Sequence, residues 1–107
     1  MSVLIAYCTC PDAASADVLA RALVAERLAA CVSEIPGVRS TYRWQGRVEH
    51  GNEVLLMIKT TREQLDALTA RVRALHPYEL PELIAVEAVG GLAPYLDWVV
   101  EQTRDDD

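Results

Sequence analysis

Two cysteines and one histidine are the residues of this chain whose side chains best suit metal binding. Cys8 and Cys10 stand two residues apart near the end of an apolar run, and in a strand such side chains point to the same face. Two thiolates on one face are soft donors that suit copper or zinc. The alternative is that each cysteine packs as a small apolar side chain, as buried cysteines often do. The residues alone leave both interpretations open.

His76 lies where a predicted helix ends, immediately before Pro77. Imidazole is a common metal ligand, although a helix C-terminus favours its charged form, which competes with a metal. The alternative is that the imidazole caps the last helical carbonyls. The other histidine, His50, is expected in a solvated turn beside Gly51.

The single lysine, Lys59, ends an apolar strand. A buried or subunit-facing ammonium must be paired, so we expect an ion pair between subunits; a cation that holds a ligand is the alternative. The candidate partners are Glu34, Glu79 and Glu82. Three arginines alternate along one face of another predicted strand, where Glu49 and Glu53 are expected to pair with them across a hairpin. These are Arg39, Arg43 and Arg47.

Several classes of function are disfavoured. The net charge of −6 and the isoelectric point near 4.8 argue against a general nucleic-acid binder. No apolar run reaches the roughly 18 residues that span a bilayer, and the first residues lack a basic signal-peptide region. No phosphate-binding loop, H-E-x-x-H or C-x-x-C motif is present. We therefore expect a cytoplasmic protein with reduced thiols, not an enzyme, and with no nucleic-acid or membrane partner.

The elements that must position these residues follow the order β-α-β-β-α-β plus a C-terminal helix. Strands are predicted at 3–9, at 30–48 with a bend or bulge at Pro36-Gly37, at 54–58 and at 83–89. Helices are predicted after an Asp12 N-cap, after a capping box at 61–64, and at 94–103. A turn is expected at 49–52. This order predicts an α+β, ferredoxin-like sandwich.

The apolar content predicts an oligomer. The chain is 51% apolar without any Phe, and residues 3–7, 54–58 and 83–86 are apolar toward both faces of their strands. In this fold two helices cover one face of the sheet, so another copy of the chain is expected to cover the other.

One domain is expected over residues 1–104, followed by an acidic tail at 105–107. From Asp97 onward five acids oppose only Arg104, which leaves a net charge of −2 for the first 96 residues.

A set of motifs covering nearly the whole chain closely resembles the CutA divalent-cation-tolerance family. They are Cys8-Thr9-Cys10-Pro11-Asp12, Leu28-Ala29-Ala30-Cys31-Val32, Ile35-Pro36-Gly37-Val38, Tyr42-Arg43-Trp44-Gln45-Gly46, the segment from Glu53 to Thr60, His76-Pro77-Tyr78-Glu79-Leu80-Pro81-Glu82, and Tyr95-Leu96-Asp97-Trp98-Val99. The resemblance implies a homotrimer similar in architecture to PII signalling proteins, with long hairpins between subunits. It also implies binding of copper or another divalent cation and a role in metal tolerance.

Carried over by motif, the metal ligands implied by the resemblance are Cys8 and His76, with Cys10 as a candidate helper. Some members carry a second histidine where this chain has Leu75. The alternative implied by the resemblance is a signalling or regulatory trimer that binds a small anion or metabolite in clefts between subunits. Its cleft residues are Cys31, Lys59, Tyr78, Glu79 and Trp98.

Overall fold

The computed structural model describes residues 2–104, so the predicted acidic tail lies outside the described residues. The strands are β1 (Val3–Cys10), β2 (Cys31–Trp44), β3 (Arg47–Thr61) and β4 (Ile84–Glu87). The helices are α1 (Ala13–Ala25), α2 (Leu65–Leu75) and α3 (Ala93–Gln102). A 3-10 turn over Arg62–Gln64 precedes α2. None of these helices is long and apolar enough to cross a membrane.

The four strands form one sheet in the order β2-β3-β1-β4. Each neighbouring pair is antiparallel, and β1 lies between β3 and β4. This topology confirms the predicted ferredoxin-like fold, in which two strand-helix-strand units interleave their strands.

The structure confirms the predicted start of α1 but not the predicted capping box before α2. The Asp12 carboxylate accepts a hydrogen bond from the Ser15 amide at 2.8 Å, which confirms the predicted N-cap of α1. The predicted capping box at 61–64 is wrong, because Thr61 makes no capping hydrogen bond with its side chain. Thr61 is instead the last residue of β3, where it pairs with Val3, and the chain enters α2 through the 3-10 turn.

The turn between β2 and β3 lies at Gln45-Gly46, so the predicted turn at 49–52 is wrong. Gln45 and Gly46 have φ values of 50° and 80°, as a two-residue type I′ hairpin turn requires. Residues 49–52 belong to β3, where Gly51 pairs with Ser40 and His50 with Thr41. The register shift between Ile35 and Val38 confirms the predicted bulge at Pro36-Gly37.

The shifted turn also changes the partners of the strand arginines. Arg39 lies opposite Asn52, Arg43 opposite Val48, and Arg47 opposite Trp44. Within residues 2–104 none of these arginines forms a salt bridge, so the expected pairs with Glu49 and Glu53 across the hairpin do not form.

Helices α1 and α2 cover one face of the sheet and leave much of the other open. The main core cluster on the covered face includes Cys8, Cys10, Leu19, Leu23, Leu56, Ile58, Leu68 and Val72. On the open face, Ile84 and Val86 are 61% and 48% exposed and lie opposite Tyr7 and Ile5. Only one end of this face is covered, where Val99 of α3 packs with Val3 and Ala30. The bare apolar face predicted from the strand pattern is therefore present in a single chain.

Candidate metal centre

The structure brings Cys8, Cys10 and His76 together. Each offers one ligand atom, and these three atoms all lie within 4.8 Å of one another. Alternate residues of β1 face the helices, which places both sulfurs on the covered face, opposite Leu56 and Val54 of β3. Helix α2 ends at Leu75 and delivers the next residue, His76, to the same end of β1.

The spacing of these atoms is close to what a metal ion needs. A tetrahedral ion with Zn–S bonds of about 2.3 Å and Zn–N bonds of about 2.0 Å holds its ligands roughly 3.5–3.8 Å apart. Movements of about an ångström therefore suffice to form a centre from these side chains. All three are at least 93% buried, so such an ion would be shielded from water.

The two thiols affect each other's ionisation. A hydrogen bond with Cys10, followed by burial and the negative charges of Glu82 and Glu53, raises the pKa of Cys8 far above its ordinary value. The same hydrogen bond lowers the pKa of Cys10, although burial opposes this. Burial opposes ionisation of both thiols, so an ion that binds both sulfurs must displace their protons.

The imidazole of His76 is hydrogen-bonded through both nitrogens. Nε2 lies 2.8 Å from the carbonyl oxygen of Thr9, and Nδ1 accepts from the Tyr78 amide at 3.1 Å. The backbone amide of His76, rather than its ring, bonds the helical carbonyl of Val72. The alternative in which the ring caps α2 is therefore wrong, because the ring reaches across to β1.

Tyr78 and Glu53 border this cluster and were not recognised as its neighbours from the sequence. The ring of Tyr78 lies 4.7 Å from that of His76, centroid to centroid, and its hydroxyl donates to Glu53 at 2.7 Å. Burial and then this hydrogen bond raise the pKa of Tyr78. The available signal was that Glu53 directly precedes Val54, the residue paired with Cys10.

Three of the five expected cleft residues, Cys31, Lys59 and Trp98, gather near the C-terminal end of β3. Lys59 Nζ lies 3.9 Å from Cys31 Sγ and 3.1 Å from Ser33 Oγ. Burial and the Cys31 sulfur raise the pKa of Tyr95, whose ring lies 5.6 Å from that of Trp98. Among the described residues Lys59 forms no salt bridge, so the pairing expected with Glu34, Glu79 or Glu82 is absent within one chain.

Tyr78 lies apart from this second group. Its partner Glu53 is six residues from Lys59 along β3, which corresponds to about 20 Å in a strand, and Glu79 is exposed. A cleft lined by all five residues would therefore need more than one chain.

A separate cleft of about 540 Å³ lies between β4 and α3, and its lining includes Val3, Glu87, Leu96 and Arg104. None of the candidate metal ligands or cleft residues named from the sequence lines it.

Comparison with known proteins finds a single protein family that matches nearly the whole chain. Residues 4–102 match the family model described as CutA1 divalent ion tolerance protein. The divalent-cation tolerance protein CutA of Thermus thermophilus is 50% identical over 95 residues, which cover 89% of this chain and 92% of that protein. Protein CutA of mouse is 49% identical over 103 residues. This chain spans 58% of the length of the mouse relative.

Solved structures share the fold over nearly the full length. The crystal structure of CutA from Xylella fastidiosa matches with a TM-score of 0.94 and 48% identity, covering 97% of this chain and 100% of that one. CutA1 from Oryza sativa matches with a TM-score of 0.95 and 42% identity, covering 99% and 97%.

Proposed function

Since this chain belongs to the CutA1 divalent ion tolerance family, we propose that it binds copper or another soft metal ion at Cys8, Cys10 and His76. The observation that carries the proposal is the convergence of their ligand atoms within 4.8 Å. Binding of this kind would remove free metal ions from solution, which is how we expect the protein to contribute to metal tolerance.

The donor set favours soft metals. Thiolate sulfur selects copper(I) and zinc, whereas magnesium and calcium prefer oxygen ligands. Cys10 is the natural third ligand, because Leu75 occupies the position of a second histidine and the Cys10 sulfur lies within 4.8 Å of the ligand atoms of Cys8 and His76. All three side chains are at least 93% buried, which keeps competing water away from the ion.

We further propose that the protein is a cytoplasmic homotrimer without enzymatic activity. The open apolar face supports an assembly, because Ile84 and Val86 are 61% and 48% exposed in one chain. The free thiols of all three cysteines suit a reducing compartment.

Competition for copper(I) tests the proposed metal centre. Reduced protein is titrated without oxygen against a coloured copper(I) chelator, and the double variant Cys8→Ser, Cys10→Ser is compared with the natural chain. We expect affinity to fall by more than about 100-fold, since even loss of outer-shell partners typically costs 10- to 100-fold. Circular dichroism verifies that the variant is folded.

Cys31→Ser is the matched control, because it removes the third thiol, which lies beside Lys59 rather than beside His76. It should leave the affinity unchanged. Equal copper(I) affinity in the double variant and the natural chain would reject the proposed centre.

A second candidate function is binding of a small anion in a cleft between subunits. It is favoured by Lys59, whose ammonium lies 3.1 Å from the Ser33 hydroxyl and 3.9 Å from the Cys31 sulfur and forms no salt bridge among the described residues. A thermal-shift screen with anionic metabolites should show stabilisation that Lys59→Met abolishes while copper(I) affinity is retained. No shift with any anion, or shifts that survive the substitution, would count against it.

A further inference from the structure

The hydrogen bonds of His76 constrain how it can bind a metal. We propose that His76 binds the ion through Nδ1, and that this displaces the Tyr78 amide and opens the segment that follows α2. The inference rests on the proposed metal centre and adds the ligand atom and the conformational change that binding requires.

The neighbours of the ring assign its protons. The Tyr78 amide can only donate, so Nδ1 must carry a lone pair. The Thr9 carbonyl can only accept, so Nε2 must carry the hydrogen. The ring of His76 is therefore the neutral Nε2–H tautomer, with its one lone pair already engaged.

Either mode of metal binding breaks the bond to Tyr78. If Nδ1 binds the ion, its lone pair is no longer free to accept from the Tyr78 amide. If Nε2 binds the ion, Nδ1 must carry the hydrogen, and two donors would then face each other. Opening of the Tyr78 amide is thus required whichever nitrogen is used.

The Thr9 carbonyl decides between the two nitrogens. Binding through Nδ1 keeps the 2.8 Å bond from Nε2–H to Thr9, whereas binding through Nε2 loses it and leaves a buried carbonyl without that donor. Metal-binding histidines usually donate their second N–H to a carbonyl or carboxylate, which orients the ring. Thr9 is already placed for this outer-shell role, because it lies between the two candidate cysteine ligands.

Tyr78 holds the closed state through its side chain as well. Its hydroxyl donates to Glu53 at 2.7 Å, and its ring packs against His76. Pro77 fixes one backbone dihedral between the two residues, which restricts how the Tyr78 amide can move away from Nδ1. The bond to Glu53 therefore competes with metal binding.

Removal of the Tyr78 hydroxyl tests this competition. Tyr78→Phe should bind copper(I) about three- to tenfold more tightly than the natural chain, as expected for loss of one hydrogen bond that stabilises only the closed state. Tyr95→Phe is the matched control, because Tyr95 lies beside Cys31 and Trp98, and its copper(I) affinity should not change. Unchanged or weaker binding by Tyr78→Phe would overturn the competition.

Nitrogen-15 NMR with diamagnetic copper(I) identifies directly which ring nitrogen of His76 binds the ion. On saturation we expect the Nδ1 resonance of His76 to shift while Nε2 keeps its proton. We also expect the Tyr78 amide to exchange faster with solvent. A metal-bound Nε2, or a Tyr78 amide as protected as in the metal-free protein, would overturn the inference.

The two proposals fail in different ways. If copper(I) binds at Cys8, Cys10 and Nε2 of His76, or binds at all three residues while the Tyr78 amide stays protected, the metal centre stands and this inference is wrong. If copper(I) does not bind at these cysteines, both are wrong.

Discussion

Cys8 and Cys10 serve the apolar core and also offer two metal-binding sulfurs. Both are fully buried in the main cluster, as expected for small apolar side chains, yet they also lie within 4.8 Å of a histidine nitrogen. Packing and binding are therefore compatible interpretations at these positions. The discriminating residue is His76, because an imidazole in a core needs polar partners, and here it takes them from Thr9 and Tyr78.

At the same scale, Thr60 carries a buried hydrogen bond that should matter for stability. Its hydroxyl donates to the Leu28 carbonyl at 2.7 Å, and its side chain is fully buried. Thr60→Val should lower the free energy of unfolding by about 1–3 kcal/mol, because the carbonyl loses its partner. Urea denaturation at fixed protein concentration measures the change.

Thr69→Val is the control, because Thr69 makes a bond of the same length to Leu65 on the exposed face of α2. The loss in free energy of unfolding caused by Thr69→Val should stay within about 0.5 kcal/mol. Equal costs at the two positions would show that burial does not decide the value of this bond.

Asp12 should make stability depend on pH. Hydrogen bonds from Ser15 hold the pKa of this carboxyl below its ordinary value, so its contribution is present above the pKa of the unfolded chain, about 3.9, and is lost as the pH falls further. Asp12→Asn keeps a capping oxygen but does not titrate. The natural chain should therefore lose stability relative to Asp12→Asn below about pH 4.

Denaturation at a series of pH values measures this difference. Asp12→Ala, which removes the cap altogether, should be less stable than Asp12→Asn throughout. Parallel pH profiles for the natural chain and Asp12→Asn would contradict the assignment.

At the scale of elements, the strands could be predicted from the sequence, whereas the position of the hairpin turn could not. The alternation of apolar and polar residues located β2, and Pro36-Gly37 indicated the bulge. The apolar run at 54–58 located the second half of β3, which begins at Arg47. His50-Gly51-Asn52 resembles a turn by composition, but a two-residue turn needs positive φ at both central residues. Which of two candidate glycines meets that need depends on the register with which β2 pairs with β3, and this is a property of the folded sheet.

Alanine substitutions at the two glycines test the location of the turn. Gly46 has a φ of +80° with open space around it, so Gly46→Ala is strained by the backbone alone, and we expect a loss of about 1–2 kcal/mol. Gly51 lies in β3 with open space and no positive φ, so Gly51→Ala should be neutral or slightly stabilising. Thermal unfolding of both variants measures the difference, and a larger loss at Gly51 would contradict the structure.

At the scale of the whole molecule, the open face of the sheet needs a partner. The side chains that point away from α1 and α2 include a group of apolar residues, and α3 covers only one end of this face. The group consists of Ile5, Tyr7, Leu55, Met57, Ile84 and Val86. A face of this kind is unfavourable in water and is best satisfied by further copies of the chain. The expected cleft residues Cys31 and Lys59 lie opposite each other where β2 begins and β3 ends. Assembly of several chains would therefore also determine what surrounds Lys59.

Placing a charge on the open face should prevent assembly. Val86→Glu puts a carboxylate on that face, where burial of an unpaired charge is costly. Val18→Glu is the control, because Val18 is 59% exposed on α1 while Val86 is 48% exposed. Sedimentation should give three copies for the natural chain and Val18→Glu, and a smaller species for Val86→Glu. A natural chain that sediments as a monomer would reject the trimer.

The sequence by itself determined the local features of this protein. Period-two alternation placed Cys8 and Cys10 on one face, apolar runs on both parities predicted an uncovered sheet face, and Asp12 identified the start of α1. Each depends on neighbours a few residues away, so local sterics and hydrophobicity suffice.

Only the tertiary structure decided which distant groups meet. His76 is 67 residues from Thr9, and no periodicity relates the two positions. Packing of α2 against the sheet brings the ring to the end of β1 and sets which nitrogen faces the carbonyl. The tautomer of His76, and with it the behaviour we infer for Tyr78, follows from that contact, because a ring nitrogen takes its role from the group opposite it.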